Sequence, residues 1–226
     1  MPQKPYLVFT AIFGNYDCLE EIPPEAYEPE LLDYICFSDR PYRSETYRVE
    51  QVPCSRTDQM MNRYYKVMID IITRGRYKAS IYLDGNVRVK DRLSGLFDVN
   101  EDLTVHDHLR TCIYEEAEAI IQKNKDSRAA VDKWVQRLER EEYPRDNGLY
   151  WNGVLVRKHS DRMRVMSQEW WEMLNEYSYR DQLTLPYLLR KHAISVRCLH
   201  RELDKHGVFD SPIFYYDGRH KDDARS

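Results

Sequence analysis

The sequence predicts an α/β protein built on a mixed, mostly parallel central sheet with helices packed against it. Short apolar runs that end in polar, turn-prone residues recur at Tyr6 to Phe13, Tyr34 to Phe37 and Ala79 to Leu83. A stretch with helical spacing separates the last two, which gives a strand-helix-strand rhythm. The run into Asp84 is apolar at nearly every position, as in a core strand covered on both faces.

The first strand, Tyr6 to Phe13, is rich in aromatic and β-branched residues and stops at Gly14-Asn15. The second, Tyr34 to Phe37, ends in Ser38-Asp39, so both deliver polar groups at their carboxyl ends. Thr46 to Val52 adds a strand before Pro53. Ser55 or Thr57 caps a helix through about Thr73, in which Met60, Met61, Tyr64, Val67, Met68, Ile71 and Ile72 keep helical spacing. Arg56, Arg63, Lys66 and Arg74 decorate that helix. The strand Ala79 to Leu83 then runs into Asp84-Gly85-Asn86, and Val87, Val89, Leu93, Leu96 and Phe97 resume the apolar pattern.

Farther on, Leu103 to His106 reads as a strand, and Glu115 to Lys123 and Ala129 to Glu141 as charged helices. Leu149 to Arg157 is a strand, Asp161 to Tyr177 a helix, and Gln182 to Lys191 another. No Pro/Gly/Ser-rich stretch divides the chain, so residues 1–216 form one domain and the polar tail 217–226 is expected to be disordered.

Composition narrows the function. The 226 residues carry a formal net charge of -4, which gives no global basic field for nucleic acid or an anionic membrane. No apolar run reaches the roughly 18 residues a membrane span needs, and a cytoplasmic protein without a transmembrane segment is expected. The five cysteines are odd in number and lack a Cys-x-x-Cys pair, which disfavours a disulfide framework or a structural zinc site. The 18 tyrosines suit pocket walls, although most are expected in ordinary half-buried packing.

Sheets of this class bind ligands beyond the carboxyl ends of their strands, so Asp84 and Asn86 face a cleft. The same tripeptide is also an ordinary turn signal. Arg63 and Lys66, three apart, share a helix face and reach phosphate oxygens or simply face solvent. Arg180-Asp181-Gln182 forms a second polar cluster where a helix N-terminus favours an anion, or where Asp181 is merely a cap. His108 and Arg110 precede Tyr114-Glu115-Glu116-Ala117 and reach a sugar or an acceptor. Trp151 and Asn152 pair an aromatic face with an amide, as in an acceptor wall, although a buried tryptophan is the commoner arrangement.

Tyr64-Tyr65-Lys66, the stretch Ile81 to Asp91 and Leu96-Phe97 resemble the donor-site region of glycogenin-like retaining glycosyltransferases. A second group of motifs is similar to a glycosyltransferase-like family of bacteria and plants, formerly a domain of unknown function. These are Thr10-Ala11-Ile12-Phe13-Gly14-Asn15-Tyr16-Asp17, Cys36-Phe37-Ser38-Asp39, His108-x-Arg110-x-Cys112-x-Tyr114-Glu115-Glu116-Ala117, Gly148-Leu149-Tyr150 and Ser178-x-Arg180-Asp181-Gln182-Leu183.

The resemblance implies a single GT-A-like (Rossmann-like) domain that moves a hexose or pentose from a nucleoside-diphosphate sugar to a carbohydrate or other hydroxyl acceptor, with retention. It implies nucleoside contacts at Thr10, Ala11 and Asp39, phosphate contact at Lys66, and Asp181 or Gln182 beside the anomeric carbon. It also implies a divalent cation, Mn or Mg, at Asp84 and Asn86, with a third ligand at His200 or His206. Asn86 stands where the family's commoner pattern has a second aspartate, and a neutral amide weakens the hold on a hard cation. Three alternatives stay open: a nucleotidyltransferase, a metal-dependent hydrolase, and a non-catalytic nucleotide-sugar or glycan-binding module. A nucleic-acid acceptor also stays open, with duplex DNA the least suited.

Overall fold

The computed structural model describes residues 4–14, 17–200, 203, 208–216 and 218. His206 and nearly all of the tail from 217 lie outside the described residues. The strands are β1 (Tyr6–Ile12), β2 (Leu32–Ser38), β3 (Arg48–Gln51), β4 (Ala79–Leu83), β5 (Arg88–Val89), β6 (Leu103–Asp107), β7 (Tyr150–Lys158), β8 (Val196–Leu199), β9 (Phe209–Asp210) and β10 (Phe214–Tyr216). The helices are α1 (Asp58–Ile72), α2 (Ile113–Gln122), α3 (Arg128–Arg140), α4 (Asp161–Glu176) and α5 (Asp181–Lys191).

Seven strands form the main sheet in the order β3-β2-β1-β4-β7-β6-β8. Only β7 runs against its neighbours, so the sheet is mixed and mostly parallel, as expected. From β1 the chain steps outward to β2 and β3, then returns to place β4 on the other side of β1. That reversal leaves a crevice beyond the ends of β1 and β4, the place where open α/β sheets bind ligands.

Side-chain alternation along β1 splits the core in two. Leu7, Phe9 and Ala11 join Met61, Tyr65 and Ile69 of α1, Met166 and Trp170 of α4, and Leu185 of α5. Val8 and Ile12 join Tyr34, Cys36, Ile81 and Leu83 with Ile22, Ala26, Phe209 and Phe214. All five described α-helices thus contribute to the first cluster, and the 17–31 loop with the small β5-β10-β9 sheet closes the second.

Helix α1 starts where the sequence allows, with the Thr57 hydroxyl accepting from Met60 N at 3.3 Å. Strand β7 carries an irregularity: Thr104 pairs Val156 while His106 pairs Trp151. This bulge sets Trp151 and Val156, five positions apart, in the same core cluster. Gly153 lies within it, and a Cβ there would fall 2.3 Å from the Trp151 ring. Among the described residues no helix is long and apolar enough to cross a membrane.

Candidate functional site

The loops after β1, β2, β4 and β6 open at one end of the sheet because these strands run in the same direction. At the end of β1, Gly14 takes φ +67° and its N–H donates to Asp39 Oδ1 at 3.1 Å, tying β1 to the end of β2. Asn62 of α1 donates to the Ala11 carbonyl at 2.7 Å and to the Tyr82 hydroxyl at 3.0 Å. Tyr82 in turn donates to Asp84 Oδ1 at 2.6 Å. The backbone of Asp84 is pinned by donation to the Gly153 carbonyl at 2.8 Å. One hydrogen-bonded chain therefore runs from the end of β1, through α1, to the end of β4.

Beneath it lies a buried charge network. Lys66 Nζ is 2.6 Å from Asp181 Oδ2 and 3.8 Å from Asp84 Oδ1, and sits 4.7 Å from the centroid of the Tyr82 ring. Arg63 Nε is 3.6 Å from Asp181 Oδ1 and donates to the Tyr179 carbonyl at 3.3 Å. Asp181 is fully buried and Lys66 nearly so. Burial alone would raise the Asp181 pKa, but the Arg63 and Lys66 charges outweigh it and hold the carboxyl well below the usual range. Burial lowers the Lys66 pKa, and Asp181 and Asp84 restore only part of the loss. Burial likewise pushes the Tyr82 phenol far up, assisted by Asp84.

The structure brings Arg63, Lys66, Asp84 and Asp181 together. Asp84 keeps about a third of its side chain exposed at the crevice, and Asn86 is half-buried beside it. Thr10 is buried with its hydroxyl unpartnered, and Ala11 contributes its carbonyl. Gln182 is half-buried with an unpartnered Oε1, and Arg180 with an unpartnered Nε. Asn152 is buried, and neither its amide oxygen nor its nitrogen has a partner. Trp151 is 8 % exposed and packs against Phe209 and Tyr216, so it lies in the core cluster. His108 Nδ1 accepts from Arg110 N at 3.1 Å, and Arg110 pairs with Glu116 at 2.7 Å. His200 pairs with Asp107 at 2.5 Å. Asn62 and Tyr82 were not singled out by sequence; the helical i,i+4 spacing of Asn62 and Lys66 was the available signal.

A hard divalent cation prefers several oxygen ligands, carboxylates above all. At the end of β4 the described residues offer the Asp84 carboxylate, the neutral Asn86 amide and Asp17, whose Oδ2 would lie 3.2 Å from a Cβ at Gly85, with the Lys66 ammonium already 3.8 Å from Asp84. Among the described residues Asp84 belongs to no cluster of three His, Cys, Asp or Glu ligands. Among the described residues, Asp39, Cys54 and Asp58 have ligating atoms within 4.8 Å of one another. There the Cys54 thiol donates to the Arg56 carbonyl, and a sulfur ligand suits softer metals than Mg.

A mixed α/β domain with a polar crevice at the switch between two parallel strands belongs to the class that seats a ligand at strand ends, and fold alone does not say which ligand. The chain belongs to the TOD1/MUCI70 glycosyltransferase-like domain family, whose model matches residues 67–203. The matched span holds Asp84, Asn86, Asn152 and Arg180-Asp181-Gln182, and begins one residue after Lys66. No curated protein matches the chain. Among solved structures, the apo bifunctional glycosyltransferase WbbM is similar at 12% identity over 87% of this chain, with a TM-score of 0.46. This chain spans 38% of that protein's length. Apo mouse xyloside xylosyltransferase 1 is similar at 11% identity over 86% of this chain and 84% of its own, with a TM-score of 0.47.

Proposed function

We propose that this chain is a glycosyltransferase that binds a nucleoside-diphosphate sugar at the crevice between β1 and β4 and transfers its hexose or pentose to a hydroxyl acceptor with retention. The observation that supports it most is Lys66, which bridges Asp181 and Asp84 directly under the crevice. When the glycosidic bond to the donor breaks, negative charge develops on the departing diphosphate. Cations fixed before the reaction stabilise that charge without reorganising.

In this reading Asp84 and Asn86 hold the donor, Thr10, Ala11 and Asp39 lie along the nucleoside, and Asn152 and Gln182 read sugar hydroxyls. Asp181 acts through Lys66 and Arg63 as a positioning residue, since it is sealed from the crevice. His108, Arg110 and Arg180 line the acceptor side, whereas Trp151, the fourth residue of that set, is packed in the core. A dependence on Mn or Mg has the thinner support, because a neutral amide, Asn86, stands two residues after Asp84 and the Lys66 ammonium already lies 3.8 Å from the Asp84 carboxylate. His206, the remaining ligand of that set, lies outside the described residues.

Product analysis with a panel of nucleotide sugars tests the proposal. A glycoside with the donor's anomeric configuration supports it, whereas release of pyrophosphate or simple hydrolysis favours a nucleotidyltransferase or a hydrolase. Asn86, in place of a second carboxylate, favours one other reading, a module that binds nucleotide sugars without turnover. Binding with no transfer to any acceptor would decide for that module.

A further inference from the structure

The parallel strands β1, β2 and β3 also share their opposite end, and a pocket of about 340 Å³ opens there. Its wall is built from residues that enter those strands: Lys4 before β1, Asp33 and Tyr34 at the start of β2, and Tyr47 and Arg48 at the start of β3. Strand β1 is seven residues long, so roughly 20 Å of sheet separates this pocket from the crevice at Asp84. None of its lining residues belongs to the Lys66–Asp181 network.

Two phenols give the pocket its chemistry. Tyr34 and Tyr47 are 5 % and 6 % exposed, and their rings meet edge to face with centroids 5.9 Å apart. The Tyr34 hydroxyl accepts from Glu28 N at 3.1 Å, which leaves its proton to give. Among the described residues no group accepts from either hydroxyl, and none donates to that of Tyr47. Burial raises both pKa values, to about 12 for Tyr34, so each phenol stays a donor. A buried polar group without a partner is costly to keep, and a ligand that supplies the acceptor offsets that cost.

The rest of the wall narrows the ligand. Lys4 Nζ lies 3.3 Å from Asp33 Oδ1, and Asp33 also accepts from the Tyr77 hydroxyl at 2.7 Å and pairs with Arg76 at 3.2 Å, so this edge is fixed before any ligand arrives. Arg48 and Glu45 stand exposed at the rim. Lys4 and Arg48 balance Asp33 and Glu45, and a lining without net charge disfavours an ion. Tyr27, half-buried with its ring 5.0 Å from that of Tyr34, adds an aromatic surface. A ligand that meets phenol donors, carboxylate acceptors and an aromatic face together is a ring carrying hydroxyls.

We propose that this pocket is a second carbohydrate site, which takes a neutral sugar unit with the Tyr34 and Tyr47 hydroxyls donating to its oxygens and Tyr27 against its C–H face. The site does not depend on the transferase reading: it holds a glycan at the far end of the sheet whether or not transfer occurs at the crevice.

NMR titration of the isotopically labelled full chain with three neutral trisaccharides, cellotriose, maltotriose and xylotriose, tests it. At least one is expected to shift the backbone amides of Asp33, Tyr34, Tyr47 and Arg48 and to leave those of Asp84, Gly85 and Asn86 in place. Tyr47→Phe removes one hydroxyl and keeps the ring, so it should weaken that binding about tenfold while its melting temperature stays equal to or above the parent's. That split separates a hydroxyl that serves a ligand from one that serves the fold. The affinity should also persist in added salt and in the presence of uridine diphosphate. No shift at the pocket amides with any of the three sugars, undiminished binding by Tyr47→Phe, a lowered melting temperature in that variant, or loss of the bound sugar to salt or to uridine diphosphate would overturn the site. Nucleotide-sugar binding at the crevice, measured apart, bears on the transferase reading alone.

Discussion

The ammonium of Lys66 lies 2.6 Å from the carboxylate of Asp181, with neither side chain more than 2 % exposed. Two groups from α1 and the start of α5 thus neutralise each other inside the protein, directly behind the crevice at Asp84. Such a pair adds little stability over a well-packed apolar pair of the same shape. Breaking it from one side is costly, because the remaining charge is stranded out of water.

Asp181→Ala strands Lys66 and Arg63 together, and should lower unfolding free energy by about 3–5 kcal/mol in urea titration. Lys66→Met should have an effect of similar size. The double variant Lys66→Met/Asp181→Leu should be less destabilised than the sum of the singles, since no single charge is then left bare apart from Arg63. Additive losses would show that the two residues do not act as a pair.

Tyr82 is fully buried, and its hydroxyl links Asn62 to Asp84. Tyr82→Phe should reduce stability by about 1–2 kcal/mol by removing those two bonds. It should also weaken nucleotide-sugar binding, because Asp84 loses the donor that orients it. Unchanged affinity in a folded Tyr82→Phe protein would mean that the Tyr82 bond does not position the site.

A buried histidine predicts acid sensitivity. His159 Nε2 lies 2.9 Å from Ser80 Oγ, and its Nδ1 lies 3.0 Å from the Tyr77 carbonyl and 3.3 Å from Asp70. The order Ser80, His159, Asp70 has the connectivity of a nucleophilic triad, but Ser80 has no exposed surface, so no substrate reaches it. Burial, only partly opposed by Asp70, lowers the His159 pKa to about 4 from the ordinary 6.5. The unfolded chain therefore binds the proton more readily than the folded one. The stability that depends on neutral His159 is complete above about pH 6.5 and is lost as pH falls toward about 4, by on the order of 3 kcal/mol. Asp181 is lost only at lower pH, because its carboxyl is held well below the usual range. Urea midpoints across that window should fall steeply for the parent protein and less for His159→Gln.

Gly14 tests the tie between β1 and β2. Its φ of +67° suits glycine, and a Cβ would fall 2.1 Å from Asp58 Oδ2. Gly14→Ala should destabilise by more than about 1 kcal/mol and displace Asp39, with a lowered melting temperature as the readout.

How much of this was legible in the sequence depended on length and repetition. Strands β1 and β4 and helix α1 showed through because each carries several apolar residues at one period, and the Thr57 cap marked the start of α1. Strand β8 did not, since its Val196 to Leu199 segment is half exposed and pairs through backbone along one edge. Strands β9 and β10, two and three residues long, are too short for any alternation to be read.

At the site, sequence indicated Arg63, Lys66, Asp84 and Asp181 as polar residues at the right ends of elements. It could not show that they form one network, because α1 and α5, more than a hundred residues apart, meet on one face of the sheet only in the folded chain. Trp151 shows the same limit: the bulge in β7 sets its direction, and no local pattern announces a bulge.

The central claim is that Asp84, held by Tyr82 and backed by Lys66, grips an activated sugar at the end of β4. Direct titration of nucleotide sugars into the parent chain and into Asp84→Ala tests it, with folding of the variant checked by its melting curve. The account predicts that the parent binds at least one nucleoside-diphosphate sugar and that the variant binds it about tenfold or more weakly. Equal affinity in the two proteins, or no affinity of the parent for any such compound, would contradict it.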